Sequence, residues 1–182
     1  MGKWIVFAAG SLGIIVISWK SLPRPRSHGF YRFFAFELLL VLLLNNIDCW
    51  IKAPYSLHQM ISWVLLSASL ILAIHGFYLL KIIGQPREAV QDSSDLGFEN
   101  TANLVTTGVY SYIRHPLYAS LLLLNWGTFF KQITWLSGSL ALGISAFLTA
   151  TAKVEEKENQ ARFGEEYSHY LKGTKMFIPG LI

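Results

Sequence analysis

The chain is short of charge. Of its 182 residues, Asp, Glu, Lys and Arg make up 14% while 53% are hydrophobic; an average soluble domain carries roughly a quarter charged residues. A nucleic-acid surface needs basic residues clustered on one face. Here the Lys and Arg residues lie scattered between apolar runs, so no nucleic-acid partner is expected. Cysteine is nearly absent. Cys49 stands alone, which rules out an internal disulfide, and with no C-x-x-C pair or Cys/His cluster no metal site is expected. Cys49 reads as a small apolar residue near a helix end. A secretory cleavage site is also lacking: Lys3 is followed by apolar residues to Trp19 without an A-x-A-like break, so the stretch reads as a retained first helix.

What is present is a set of five long apolar segments, at about 4–19, 33–47 (extendable to 51), 57–83, 117–130 and 133–152. A soluble core cannot hide several such runs at once. A helix needs about 20 residues to cross a bilayer. The expectation is an all-α integral membrane protein: one domain over 1–182, about five transmembrane helices, three of them within 1–83, and a cytoplasmic C-terminal amphipathic helix. The fourth run is the shortest, about 21 Å as a helix. Either it begins near Tyr110 with a kink at Pro116, or it forms a shallow hairpin with the fifth around Lys131 and Gln132.

The basic residues alternate between connections. Lys20, Arg24, Arg26, Arg32, Lys81, Arg87, Arg114, Lys153, Lys157, Arg162, Lys172 and Lys175 fall on one side, and only Lys3, Lys52 and Lys131 on the other. The positive-inside rule places the first group in the cytoplasm, with the N-terminus outside and the tail inside. The longest polar connection, about 84–114, is rich in Pro, Ser, Asp, Asn and Gly and reads as loop. The tail from Lys153 reads as an amphipathic helix on Val154, Ala161, Phe163, Tyr167, Tyr170 and Leu171, interrupted near Gly164. It could lie on the membrane or dock on the bundle.

Two constellations carry chemistry. The first, Thr106 to Ser120, sets Tyr110, Tyr112, Arg114, His115 and Tyr118 just before an apolar helix, with Pro116 suited to its first turn. Free amides at a helix start suit a carboxylate or phosphate; the same residues would also serve as interfacial anchors. The second is Glu155–Glu156, just after the fifth run. These carboxylates could meet an ammonium, a ribose hydroxyl or a sulfonium, or simply form a solvated face paired with Lys153 and Lys157. Glu37 lies inside the second run, where intramembrane function is a fair default, although it could snorkel toward the cytoplasm. His75 and Asn125 suit helix–helix hydrogen bonds, and Ser62, Ser69 and Gly76 suit close helix packing.

LVTTGVYSYIRHPLY (Leu104–Tyr118), EE (Glu155–Glu156), FGEEYSHY (Phe163–Tyr170) and FIP (Phe177–Pro179) together resemble, in order and spacing, the isoprenylcysteine carboxyl methyltransferases and the related phospholipid methyltransferases. The resemblance covers roughly residues 100–179; before that only hydrophobicity is shared. It implies that residues 84–182 form a half that binds S-adenosylmethionine through the backbone around Asn103, Leu104 and Val105, through Tyr110, through His115, Pro116, Leu117 and Tyr118, and through Glu155. It also implies an amphiphilic or small methyl acceptor bearing a carboxyl, thiol or amine. Arg114 would position an acidic acceptor, and Glu156 would hold an amine or act as base. The chain departs from the family pattern at Ala102 (commonly His), Thr151 (commonly basic) and Met176 (commonly Arg), changes that bear on acceptor identity. Two other readings stay open: an NADPH-dependent sterol-reductase-like membrane enzyme, for which no nicotinamide signature is found, and a non-catalytic membrane protein.

Overall fold

In the computed structural model, residues 2–85 and 101–180 are described, so residues 86–100 of the long polar connection lie outside the described part. The described residues form six α-helices: α1 Gly2–Ser18, α2 His28–Asn46, α3 Leu57–Leu79, α4 Pro116–Phe129, α5 Trp135–Phe163 and α6 Glu165–Gly173. One π-helical turn, Leu80–Gly84, extends α3, and a short 3-10 turn, Gly108–Ser111, precedes α4. Three of the helical stretches are long and apolar enough to cross a membrane: His28–Cys49, Leu57–Gly84 and Trp135–Phe163. α1 is apolar but shorter.

Two helix ends differ from the sequence expectation. α2 starts at His28, five residues earlier: Gly29 is tolerated in the first turn, and Phe30, Tyr31 and Arg32 continue the helix. α5 runs past Ala152 to Phe163, so Glu155 and Glu156 sit within it rather than in a separate tail helix. The Lys/Glu-rich stretch favours helix, and Gly164, at φ +61°, is the first residue that stops it. Thr134 caps the other end, its hydroxyl accepting from Ser137 N at 3.1 Å. Of the two forms open to the fourth run, the structure takes the hairpin: α4 ends at Phe129, the chain turns around Lys131 and Gln132, and α5 returns antiparallel along it. The chain before it makes the 3-10 turn, and α4 begins at Pro116, where the missing amide costs no helical bond.

The helices alternate in direction. The Ser69 and Ser62 hydroxyls of α3 donate to the Ser120 and Gly127 carbonyls of α4, each at 2.7 Å. The Asn125 amide of α4 donates to Ala141 O of α5 at 2.9 Å. α2 lies along α5, with Phe34 stacked on Phe147 and Asn46 bonded to the Ser137 hydroxyl at 3.1 Å. α1 packs on α2, Ser11 meeting Glu37 at 2.9 and 3.0 Å. Polar side chains thus act as interhelical glue, as expected where lipid offers no partner; Glu37 is engaged this way by Ser11. His75 does not join this set: it is exposed, with Nε2 beside Gly108.

Ala35, Leu39 and Leu42 of α2 meet Ile144, Leu148 and Ala152 of α5 and Ala119 of α4 in the core. Their three- and four-residue spacing marks one face of each helix. Outward, Val64, Leu70, Ile71 and Ile74 of α3 are each more than 60% exposed. On a water-soluble surface so wide an apolar patch would be anomalous; against lipid it is expected.

Candidate active site

Two arms meet at the end of the bundle away from the N-terminus. The first is the approach to α4. The 3-10 turn needs Gly108 at φ +62°, and a Cβ there would stand 2.7 Å from Leu79 Cδ1. The turn buries Tyr110, whose hydroxyl points at the Gly76 carbonyl at 3.4 Å. Next, Ile113 pairs with Lys175 of the returning tail in a short parallel bridge: Arg114 N donates to Lys175 O at 2.7 Å and His115 N to Met176 O at 3.2 Å. His115 then takes the N-cap position of α4, and no side chain caps the helix start.

The second arm is the C-terminal part of α5. The Tyr118 hydroxyl donates to Glu155 Oε2 at 2.5 Å. The His115 ring stacks on Tyr118 with centroids 5.5 Å apart and lies between the two carboxylates, Nδ1 3.8 Å from Glu155 and Nε2 3.4 Å from Glu156. The ring is 5% exposed and its Nε2 makes no hydrogen bond. Arg114 Nε donates to Glu156 at 2.7 Å, and Arg114 Nη1 donates to the Thr174 carbonyl.

The two arms face each other across an open cleft of about 80 Å³. Leu104, Val105, Tyr110, Arg114, His115, Pro116, Leu117, Tyr118 and Glu155, all singled out from sequence, line it. Asn103 and Glu156 do not. Asn103 faces Ile83, its side chain donating to that carbonyl at 3.4 Å, and Glu156 is turned onto Arg114. Sequence reasoning missed Leu80, Thr101, Asn159, Phe163, Tyr167 and Tyr170 as lining residues. Asn159 and Phe163 follow Glu155 at intervals of four, a spacing that points to a shared helix face once α5 is known to be continuous.

α6 docks on the bundle rather than lying away from it. Tyr167 and Tyr170 are buried, and the Tyr170 hydroxyl donates to Tyr110 O at 2.6 Å. Burial pushes both phenols above their ordinary value; the Glu156 carboxylate raises Tyr167 further, while Arg114 acts the other way on Tyr170.

Behind the cleft lies a second, apolar groove of about 870 Å³ between α3, α4, α5 and the tail. Ile113 and Phe177 border it, and Phe177 packs 6.3 Å from the His115 ring, so the segment Thr174–Pro179 forms a strap between groove and cleft. At the positions that depart from the family pattern, Ala102 N bonds Gly84 O at 2.9 Å, Thr151 is fully buried with its hydroxyl on Phe147 O at 2.8 Å, and Met176 packs on the core.

A family model described as phospholipid methyltransferase matches residues 57–166. Methanethiol S-methyltransferase of Pseudomonas deceptionensis is 32% identical over 73 residues, which cover 40% of this chain and 27% of that protein. The enzyme of the same name from Crocosphaera subtropica is 32% identical over 74 residues, 41% of this chain and 28% of that protein. The chain thus matches little more than a quarter of the length of these relatives. No solved structure matches. The family match takes in α3, α4, all of α5 and both arms of the cleft, more than half of the chain, and on that ground this membrane protein belongs to the phospholipid methyltransferase family.

Proposed function

We propose that this protein moves a methyl group from S-adenosylmethionine to an amphiphilic or small acceptor at the cytoplasmic membrane surface. In this reading α1 to α5 cross the bilayer, the N-terminus lies outside, and the cleft opens to the cytosol, as the distribution of Lys and Arg suggests. The carrying observation is the convergence of His115, Tyr118 and Glu155 on one polar cleft that backs onto an apolar groove.

The residues present fit such a donor. The uncapped start of α4 and the buried, unbonded Nε2 of His115 suit a carboxylate. Glu155, oriented by Tyr118, suits positive charge. Leu104, Val105 and Tyr110, with the backbone near Asn103, supply the less polar walls, and Pro116 and Leu117 complete the floor. When bound, the donor supplies a methyl group activated on a cationic sulfur, so the protein's part is to align the acceptor and exclude water. Arg114 and Glu156, expected to handle the acceptor, are tied to each other and to the strap. We assign them the task of holding the strap in place between cleft and groove.

The groove suits an acceptor that partitions into lipid, and the relatives' names favour a thiol over a carboxyl or amine. Isothermal titration of the detergent-solubilised chain with S-adenosylhomocysteine and, separately, NADPH tests the donor. Binding of the first alone is expected; binding of NADPH, or of neither, would overturn the reading. Incubation with methyl-labelled donor and either methanethiol or a membrane-lipid extract then identifies the acceptor by the labelled product.

A further inference from the structure

The cleft is not uniform along its length, and α5 runs the whole of it. Glu155, Asn159 and Phe163 all line it from this one helix, at spacings of four residues, and so form a single stripe. At 1.5 Å per residue the stripe is about 12 Å long, comparable with an extended nucleoside plus the side chain joined to it. Among the described lining residues the charged ones lie at one end: Arg114, His115 and Glu155 gather where α4 starts, next to the strap. At the other end the lining is Leu80, Leu104 and Phe163; Arg162 stands behind it, outside the lining, donating to the Thr101 carbonyl at 2.6 Å with its guanidinium over the Phe163 ring. Asn159 stands between the two ends. Its amide can both donate and accept, which suits the vicinal hydroxyls of a ribose.

From this polarity, and resting on the donor reading above, we infer that α5 sets the orientation of the donor, with Asn159 and Phe163 as binding residues for its nucleoside. The amino-acid and sulfonium end lies at Glu155 and His115, the ribose hydroxyls lie at Asn159, and the purine lies against Phe163. The reverse orientation would leave a zwitterion among Leu80, Leu104 and Phe163, away from the charged lining residues, which is costly in a partly buried site. The inferred orientation also brings the reactive sulfur to the end of the cleft that adjoins Phe177 and the apolar groove.

Two probes separate the ends. S-adenosylhomocysteine carries both; 5′-methylthioadenosine carries the nucleoside but no amino acid. With the full chain in detergent, isothermal titration of Phe163→Ala should show both probes weakened by about tenfold, in line with loss of one stacked base contact. Asn159→Ala should weaken both by a few-fold, the scale of one hydrogen bond. Glu155→Gln should weaken S-adenosylhomocysteine at least tenfold and leave 5′-methylthioadenosine unchanged. Phe163→Trp, which keeps an aromatic face, should restore most of the affinity, and an unchanged melting temperature separates lost contacts from lost fold. The inference is overturned if Glu155→Gln weakens both probes equally, if Phe163→Ala spares 5′-methylthioadenosine, or if the wild type binds S-adenosylhomocysteine but not 5′-methylthioadenosine. Failure of the wild type to bind S-adenosylhomocysteine at all is a different result and removes the donor reading itself.

Discussion

Tyr118 and Glu155, thirty-seven residues apart in sequence, meet through a 2.5 Å hydrogen bond from phenol to carboxylate across the α4–α5 interface. That contact turns two helix ends into one site, because Tyr118 also stacks on His115 and so fixes the ring beside both carboxylates. Removing the hydroxyl alone leaves the aromatic packing intact. Tyr118→Phe should therefore melt within a few degrees of wild type yet bind S-adenosylhomocysteine about tenfold more weakly, since a charge-assisted bond that orients Glu155 is lost. Unchanged affinity by titration calorimetry would remove Tyr118 from the site.

Arg114 reaches three places at once: Glu156 at 2.7 Å, the Thr174 carbonyl, and the Leu171 carbonyl at 3.5 Å. With Glu156 only 17% exposed, Arg114→Ala leaves a partly buried carboxylate without its main partner. A cost of about 2–4 kcal/mol is expected, below the full figure for a deeply buried pair. Limited proteolysis should then cut the tail after Gly173 sooner than in wild type. Arg114→Lys should rescue little, because a lysine cannot span carboxylate and carbonyl with one planar fork.

Gly108 tests the link between backbone and site. Its φ of +62° disfavours any side chain, and a Cβ would press on Leu79 at 2.7 Å. Gly108→Ala should cost about 1–3 kcal/mol and loosen the turn that buries Tyr110. Thermal unfolding read together with S-adenosylhomocysteine affinity should show both reduced; a loss of stability with full affinity would uncouple the turn from the cleft.

The buried phenols of Tyr167 and Tyr170 predict an alkaline limit. Both are held protonated in the folded chain, with ionisation raised above its ordinary value near 10. Below that value neither state ionises and the folded chain keeps the full benefit. As pH rises past it, the unfolded chain releases protons that the folded chain retains, so stability falls. Tyrosinate absorbance near 295 nm should show part of the signal appearing only with unfolding. Tyr167→Phe/Tyr170→Phe should flatten the decline in stability above about pH 10.

Much of this was legible in the residues themselves. The five apolar runs appear as α1 to α5, because run length and composition are local properties that bilayer and helix geometry translate directly. Pro116 marked the start of α4 for the same kind of local reason. The end of α5 was misplaced because the change from apolar to charged residues at Lys153 marks where the environment changes, not where the helix stops; Gly164 does that. Asn159 and Phe163 were not read as site residues because an uncharged amide and an aromatic on an amphipathic helix carry no local sign of which neighbour they face.

By itself, then, the sequence determined that the chain is helical and lipid-embedded, that Arg114–Tyr118 and Glu155–Glu156 are its candidate site, and which family pattern those residues follow. Only the tertiary structure decided that α2 lies along α5 and α3 along α4, that Glu155 faces the cleft while Glu156 turns onto Arg114, and that the tail returns as a strap between a polar cleft and an apolar groove. The physical reason is range. Helix formation and membrane residence follow from neighbours a few residues apart, whereas adjacent carboxylates on one helix point in different directions, and which of them meets the cleft depends on side chains dozens of residues away.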